Sequence, residues 1–204
     1  LRRPNSKSQF SNPGDFEIVY GDLDDSESIR VALKGISQVF LLTRDQPQQG
    51  ELESKLIDLA ISAGVKKIVK SSAFAAGLNP PVGYGLTHTV SEQKLMTSGL
   101  NWVILRPYMF MQNFLELADL IKSRGIIPLP MGKTKIGLID ARDVALVAKT
   151  ILVGEEHENR IYELTGPESL SLAEAAEILS NLLGRTIHYR SPPLWLAGLM
   201  MRMQ

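Results

Sequence analysis

Apolar residues along this chain switch repeatedly between strand-like and helix-like spacing, and this alternation is the strongest constraint on its fold. Short, continuous apolar runs predict four strands, at residues 16–20, 39–42, 68–72 and 102–105. Apolar residues every three or four positions predict three helices between and after them, at 26–34, 51–63 and 92–97. Strands that alternate with helices form parallel sheets covered on both faces. We therefore predict a doubly wound α/β domain.

The pattern loosens in the second half of the chain. Three further helices are predicted at 110–124, 144–152 and 171–183, and four short strands at 126–130, 134–139, 160–164 and 187–189. Ser171 and Glu174 have the spacing of a capping box, and Gly184 is placed to end the helix that they begin. We expect residues 1–125 to form the first domain. Residues 126–204 are expected to form a smaller α+β portion, interleaved with it at the carboxyl edge of the sheet.

Composition excludes several classes of function. The 22 Lys and Arg residues balance the 22 Asp and Glu residues, which gives no basic excess for nucleic-acid binding. Cysteine is absent, so disulfides and thiolate chemistry are excluded, and the three histidines are too scattered to predict a metal cluster. The longest apolar run, 194–201, is far shorter than the ~20 residues of a membrane-spanning helix. With no signal-peptide pattern, we expect a cytoplasmic protein that binds neither nucleic acid nor membranes.

Small, polar and cationic residues follow the predicted strands. In an open parallel sheet, ligands bind where the loops leave the carboxyl ends of the strands. The candidates at these positions are Arg2, Arg3, Asp22, Leu23, Thr43, Ser71, Ser72, Pro107 and Tyr108. They suit a nucleotide-binding crevice, but the same residue types also form ordinary turns and helix caps. Position alone leaves both interpretations open.

Five segments, taken in order, resemble the NmrA-like family, whose members are atypical short-chain dehydrogenases/reductases that bind NAD(P)H. They are VYGDLDD (19–25), AGVKKIVKSS (63–72), SGLNWVILRP (98–107), LIDARDVA (138–145) and LTGPESLS (164–171). Each segment alone is weakly specific, but together they cover nearly the whole chain. The resemblance implies a Rossmann-like fold with a dinucleotide at the edge of the sheet.

One part of the family pattern is not in this sequence. Family members begin with a strand and a Gly-x-x-Gly-x-x-Gly turn, whose backbone N–H groups hold the pyrophosphate. This chain begins with Leu1, at what the resemblance makes the end of the second strand. We expect the first βα unit, with its glycine turn, to lie upstream.

The resemblance assigns residues to the adenosine end of the cofactor. Arg2 and Arg3 occupy the place of the cation that meets the adenosine 2′-phosphate, which favours NADP(H) over NAD(H). Asp22 and Leu23 match the family's contacts with adenine, and Thr43 would line the ribose and pyrophosphate channel, with Ser71 near it. The alternatives are two surface arginines and an ordinary turn.

Ser72, Tyr84 and His88 are the candidate catalytic residues. Reductases of the superfamily use a Ser and a Tyr-x-x-x-Lys pair, in which the Lys lowers the pKa of the phenol. Here Tyr84 and His88 match that pattern with His in place of Lys, so activation of the Tyr is weaker. We expect His88 to contact the cofactor ribose or the substrate. Alternatively, Thr89 and Glu92 cap a helix that begins after His88, which leaves Tyr84 on a loop and His88 facing solvent.

Residues 107–111 follow a predicted strand at the position that flanks the nicotinamide in the family. Pro107, Tyr108, Met109 and Phe110 are therefore candidate contacts with the cofactor. With Met111 they would form an apolar wall suited to a flat, uncharged acceptor such as a quinone. The alternative is an aromatic helix start that packs into the core.

Two functional classes follow from the resemblance. The first is an NADPH-dependent oxidoreductase that passes hydride to a quinone-like or azo acceptor, and the apolar wall favours it. The second is a redox sensor that binds NADP(H) and regulates a protein partner without turnover, and the replacement of Lys by His88 favours it. An epimerase or dehydratase is disfavoured by the same replacement. We expect an oxidoreductase.

Overall fold

A computed structural model describes residues 17–79, 81 and 83–193 of the chain. These residues belong to two compact units. The first extends to Arg106 and includes 146–163, and the second comprises 107–145 and the residues from 164 onward. The chain thus passes between the units three times, and the first passage lies at 106–107 rather than at the predicted boundary after residue 125.

Helices and strands alternate from residue 26 to residue 107. In order they are α1 (Ser26–Ala32), β1 (Gln38–Leu41), α2 (Gln49–Ala63), β2 (Lys67–Ser71), a 3-10 turn (Phe74–Gly77), α3 (Gly85–Met96) and β3 (Asn101–Pro107). The remaining elements are β4 (Met109–Phe110), α4 (Asn113–Glu116), α5 (Ala118–Arg124), β5 (Ile126–Ile127), β6 (Lys135–Ile139), α6 (Ala141–Val153), β7 (Arg160–Leu164), β8 (Ser169–Ser171), α7 (Leu172–Leu183) and β9 (His188–Tyr189). The strand–helix alternation predicted from the sequence is confirmed.

The main sheet has the strand order β1-β2-β3-β7. Strands β1, β2 and β3 are parallel, and Ile68 of β2 lies opposite Val39 on one side and Trp102 on the other. Every residue of β2 is buried, because β2 has neighbours on both edges and helices cover the apolar core. On one face, Ile68 belongs to a core cluster with Ile57 of α2 and Leu95 of α3. The predicted α/β class with a parallel sheet is confirmed.

Local sequence signals account for several helix ends. Asp25 caps α1 by accepting hydrogen bonds from the backbone N–H groups of the first turn. Gly64 ends α2 in a left-handed conformation, with φ of 81°. The predicted capping box of Ser171 and Glu174 is present at the start of α7, and Gly184 ends that helix.

Three sequence predictions of secondary structure are wrong. Residues 17–20 form no strand, since no neighbouring strand in the described part of the chain pairs with them. The predicted helix at 110–124 is instead β4 followed by α4 and α5, because Phe110 pairs with Ile139 of β6. Helix α3 begins at Gly85, about two turns before the predicted start at residue 92.

The second unit contains two small sheets. One has the order β4-β6-β8, and the other pairs β5 with β9 in parallel. Helix α7 supplies Leu172 and Ala175 to one core cluster and Ala176 to another. Within residues 17–79, 81 and 83–193, no helix is both long enough and apolar enough to cross a bilayer.

Candidate functional site

Six polar side chains form a hydrogen-bonded cluster at the carboxyl end of β2. Strand β2 contributes Lys70, the loop after β1 contributes Thr43, and the facing helices α2 and α3 contribute the others. The Lys70 cluster comprises Thr43, Gln49, Glu53, Lys70, His88 and Ser91. All except Thr43 are buried. A polar cluster this deeply buried is costly unless its hydrogen bonds are satisfied.

Helical and strand periodicity bring these residues together. Lys70 lies two residues after Ile68, so both side chains point to the same face of the sheet. Glu53 lies one turn before Ile57 on the face of α2 that packs on this sheet face. His88 lies two turns before Leu95 on α3 in the same way. The apolar core therefore changes to a polar cluster toward the carboxyl ends of the strands.

Glu53 and Lys70 form an ion pair in the centre of the cluster. The Nζ atom of Lys70 lies 2.5 Å from Oε2 of Glu53, and both side chains are fully buried. The same Oε2 accepts a hydrogen bond of 2.5 Å from the Ser91 hydroxyl. Oε1 of Glu53 accepts from the Thr43 hydroxyl and, at 3.3 Å, from the Gln49 amide. Both carboxylate oxygens are thus fully engaged.

These contacts decide the charge of the pair. Burial acts to raise the pKa of Glu53, but the Lys70 charge and the hydrogen bonds from Lys70, Ser91 and Thr43 together outweigh it and lower that pKa. Burial lowers the pKa of Lys70 from its ordinary value, and the neighbouring Glu53 charge opposes this shift. The geometry of the contact, with Nζ of Lys70 2.5 Å from Oε2 of Glu53, is that of an ammonium paired with a carboxylate.

His88 joins the cluster to the solvent-facing rim of the sheet. Its Nδ1 atom lies 3.2 Å from Nζ of Lys70. Burial, and then the positive charge of Lys70, lower the pKa of His88. The Nε2 atom has no hydrogen-bond partner among the described residues. Every fully buried side-chain nitrogen or oxygen of the described residues does have a partner, so Nε2 is not among the fully buried atoms. It is therefore the ring nitrogen that keeps access to solvent, in a residue that is 8% exposed.

A second ion pair lies next to the cluster. Arg106 of β3 donates to both carboxylate oxygens of Glu92, through Nε at 3.1 Å and Nη2 at 2.6 Å. The Ser72 hydroxyl also donates to Glu92, at 2.5 Å. The predicted catalytic residue Ser72 thus has its hydrogen committed to a buried carboxylate.

Helix α3 places Tyr84 and His88 one turn apart. The backbone N–H of His88 donates to the carbonyl of Tyr84 at 3.4 Å, and Tyr84 has helical dihedral angles. The alternative capping box does not form, because the Thr89 hydroxyl donates to the carbonyl of Gly85. The helix therefore begins before His88, as the resemblance to Tyr-x-x-x-Lys requires.

Two glycines fix the first turn of α3 against its neighbours. A Cβ atom on Gly85 would overlap the carbonyl group of Ala75 in the 3-10 turn. A Cβ atom on Gly50 of α2 would overlap the carbonyl oxygen of Thr87. Only residues without side chains permit this close packing of backbones around His88.

Tyr84 differs from the phenol of a Tyr-x-x-x-Lys pair. Its side chain is 46% exposed. Burial of the remainder, and then the negative charge of Asp45, raise the pKa of Tyr84. A Lys in the pattern would shift that pKa in the opposite direction, so the environment stabilises the neutral phenol.

The structure describes some of the other predicted contacts and not all of them. Arg2 and Arg3 lie outside the described residues. Asp22 forms the turn before α1, where its carboxylate accepts from the backbone N–H of Asp24, and Leu23 in the same turn is half-buried. Ser71 is buried at the end of β2.

The predicted apolar wall lies in the second unit. The side chains of Tyr108, Met109 and Phe110 are half-buried, and Met111 is exposed. The backbone N–H of Tyr108 donates to the carbonyl of Leu164, which fixes this segment at its start.

Sequence reasoning names Thr43, Ser72 and His88 as candidate site residues but not the charged residues that contact them. The apolar pattern places Lys70 within a strand and Glu53 within an amphipathic helix, and it assigns a role to neither. The available signal was a polar stripe on faces that periodicity assigns to the core. Gln49 and Glu53 precede Ile57 at helical spacing, and His88 and Ser91 precede Leu95 in the same way.

The parallel sheet with a polar cluster at its carboxyl edge is the arrangement of a Rossmann-like α/β protein. The chain belongs to the NmrA-like family, whose sequence profile matches residues 3–197. The sequence-based assignment to this family is thereby confirmed.

Three known proteins illustrate the similarity. The chain is 37% identical over 189 residues to an NAD(P)H azoreductase of Xenophilus azovorans, an alignment that covers 93% of this chain and 66% of the azoreductase. It resembles the structure of an NADPH-dependent quinone oxidoreductase from Escherichia coli in complex with NADPH, with a TM-score of 0.79, 25% identity, and coverage of 87% and 62%. Triphenylmethane reductase from Citrobacter sp., complexed with NADP(H), gives a TM-score of 0.79 at 24% identity, with coverage of 92% and 67%. The chain spans just under two thirds of the length of the azoreductase.

Proposed function

We propose that this protein is an NADPH-dependent oxidoreductase that passes hydride to a quinone-like or azo acceptor. Membership of the NmrA-like family supports this proposal. So do the names of its relatives, which include an NAD(P)H azoreductase and a quinone oxidoreductase. The partner of the protein is then a small-molecule acceptor, and its location the cytoplasm.

The observation that carries the proposal is the solvent-reaching Nε2 of His88 at the carboxyl edge of the sheet. Parallel sheets bind nucleotides at this edge. A fully buried ion pair holds the imidazole in place from behind. A histidine with only a structural role would not need a buried ion pair behind it, because an apolar side chain fills a core position at a lower cost in free energy.

The described residues fit the ribose and nicotinamide side of NADPH, which supplies a hydride when it is bound. His88 offers a ring nitrogen for a ribose hydroxyl or for the acceptor, and Ser71 and Thr43 lie at the ends of adjacent strands. The Thr43 hydroxyl is engaged with Glu53, so Thr43 would contribute its methyl group and backbone. Asp22 and Leu23 are proposed for adenine, Arg2 and Arg3 for the 2′-phosphate, and Pro107, Tyr108, Met109 and Phe110 for the nicotinamide.

Binding and turnover are tested separately. NADPH is titrated into the full-length protein while nicotinamide fluorescence is followed. A panel of quinones and azo dyes is then added while absorbance of the reduced nicotinamide is recorded. We expect saturable binding followed by oxidation of NADPH with at least one acceptor class. Tight binding without turnover of any acceptor would contradict the reductase and favour the NADP(H) sensor, and absence of binding would contradict both.

His88→Phe tests the residue on which the proposal depends. Removal of one hydrogen-bond donor from a site of this kind lowers kcat/KM roughly 10²-fold. We expect a loss of that size with the best acceptor. His188→Phe, in the second unit at the exposed end of β9, is the matched control and should leave the rate unchanged.

A further inference from the structure

Lys70 has one acceptor for each of its three ammonium hydrogens. Its Nζ atom lies 2.5 Å from Oε2 of Glu53, 3.2 Å from Nδ1 of His88 and 3.4 Å from the carbonyl oxygen of Ser71. An ammonium group can donate but cannot accept. The imidazole nitrogen that faces it must therefore act as the acceptor.

This requirement selects one form of the imidazole ring. A neutral imidazole has one N–H donor and one bare nitrogen, whereas a charged imidazolium has two donors. If Nδ1 accepts from Lys70, it carries no hydrogen, and the hydrogen of the neutral ring is on Nε2. The solvent-reaching atom of His88 is then an N–H donor.

We propose that Lys70 and Glu53 are positioning residues that hold His88 as a neutral imidazole with its hydrogen on Nε2, so that His88 binds an oxygen or nitrogen lone pair of its ligand as a donor. This inference rests on the proposed function for the identity of that ligand. It gives His88 a role different from that of the Lys in Tyr-x-x-x-Lys, because no positive charge is offered to the ligand.

The charged and titratable groups around His88 support the neutral form. Lys70 of β2 opposes a second positive charge on the ring. Glu53 of α2, Asp45 of the loop after β1, and Glu92 of α3 favour that charge. Burial and Lys70 outweigh the three carboxylates, and the pKa of His88 lies below its ordinary value of 6.5. The ring is therefore neutral at pH 7.

A neutral donor suits the chemistry of hydride transfer. Hydride addition to a carbonyl or azo group places a growing negative charge on the oxygen or nitrogen that is not attacked. A hydrogen bond from Nε2 becomes stronger as that charge grows, which stabilises the transition state more than the ground state. His88 keeps its hydrogen, since a neutral imidazole is a very weak acid, and water supplies the proton to the reduced acceptor.

The form of the ring is measured directly by long-range proton–nitrogen NMR correlation of the three histidines, without cofactor. His88 is assigned by comparison with His88→Gln. We expect Nδ1 without a hydrogen and Nε2 with one at pH 7, and a pKa below 6.5 on acidification. A hydrogen on Nδ1 at neutral pH, or titration at or above 6.5, would overturn the proposal.

Lys70→Met removes the ammonium and leaves Glu53 in place. We expect the pKa of His88 to rise and a hydrogen to appear on Nδ1, which then faces Glu53. Lys67→Met is the control, because Lys67 is a second buried lysine of β2 whose Nζ atom contacts the backbone carbonyl oxygens of Ile151 and Gly154 instead. His88 should be unchanged in this variant, and an unchanged His88 in Lys70→Met would refute the proposal.

The double variant Lys70→Met with Glu53→Gln covers the case in which Lys70→Met fails to fold, since it leaves no unpaired charge. We expect the ring to populate both neutral forms, and a ring still fixed with its hydrogen on Nε2 would refute the proposal. The NMR result is independent of turnover. A protein that does not oxidise NADPH but has the hydrogen of His88 on Nε2 would therefore contradict the proposed function and leave the role of Lys70 and Glu53 intact. In an active protein, His88→Gln should retain more kcat/KM than His88→Phe, since its amide still donates.

Discussion

The two ends of strand β2 each bury a lysine, but the two lysines are used in different ways. At the amino end, the Nζ atom of Lys67 donates to the carbonyl oxygens of Ile151 and Gly154, at 2.7 and 3.0 Å. These carbonyls belong to the last turn of α6 and the residue just after it, where a helix leaves acceptors unsatisfied. At the carboxyl end, Lys70 contacts a carboxylate and an imidazole.

The difference shows what each end of a parallel strand can do. Lys67 completes the hydrogen bonds of a helix terminus, and both of its acceptors are backbone carbonyl oxygens. Lys70 joins titratable side chains from α2 and α3, and one of them reaches solvent. Lys67 at the amino end stabilises the fold. Lys70 at the carboxyl end also determines which nitrogen of the His88 ring carries a hydrogen.

The largest expected effect on stability comes from Lys70→Met. This substitution removes the ammonium partner of the fully buried Glu53, and breaking a buried ion pair in this way typically costs about 3–5 kcal/mol. Urea unfolding at pH 7 should show a loss of that size relative to the unaltered protein. A loss below about 1 kcal/mol, the usual value for an exposed pair, would mean that the pair is solvated.

The acid dependence of stability distinguishes the carboxyl end from the amino end. Because the pKa of Glu53 is lower in the folded protein than its ordinary value of 4.5, the ion pair stabilises the protein fully above pH 4.5. That contribution is lost as pH falls through the folded pKa. The free-energy difference between the unaltered protein and Glu53→Gln should therefore shrink on acidification below 4.5. A constant difference would contradict the assignment, and Lys67→Met should show no such convergence.

Lys67→Met should have a smaller effect than Lys70→Met. Two carbonyls lose a buried donor, which costs about 1–3 kcal/mol, but no carboxylate is left unpaired. Thermal or urea unfolding of the two variants side by side measures the comparison. Equal losses would show that the carboxylate partner of Lys70 adds nothing.

Ser72→Ala should have the smallest effect of the four. One hydrogen bond to Glu92 is lost, for about 1 kcal/mol, while Arg106 continues to hold both oxygens of that carboxylate. Stability and NADPH oxidation are measured on the same preparation. Because the hydroxyl hydrogen is committed to Glu92, we expect little change in rate. A loss of 10²-fold or more would show that Ser72 is catalytic.

Much of the fold was predictable because its signals are local. Apolar periodicity located α1, α2, β1 and β2 to within a few residues, and the capping box at Ser171 was found from two letters of sequence. The helix predicted at 110–124 was wrong because Phe110 pairs with a strand 29 positions later in the chain. Periodicity within a short window contains no information about such a partner.

The site was predictable only in outline. Position after a strand makes Thr43 a candidate, and a family pattern makes His88 one, and both lie in the Lys70 cluster. Lys70 was missed because a lysine in a short strand is ordinarily assigned to an exposed face, and its burial depends on Glu53, 17 positions away. A charge is tolerated in a core only when a partner lies beside it. Tertiary packing supplies that partner, so the residues around Lys70 in the sequence do not predict its burial.

Gly50 and Gly85 limit how the imidazole can be adjusted. Each lies where its backbone packs directly on a carbonyl group beside the first turn of α3. One extra methyl group on either glycine would displace that turn by several tenths of an ångström. A shift of that size is enough to break the hydrogen bond between Lys70 and His88. The orientation of the His88 ring is thus fixed by two positions that have no side chain. Substitutions that change the ligand preference of this protein are therefore better tolerated at residues around the ring than at positions that would reorient the ring.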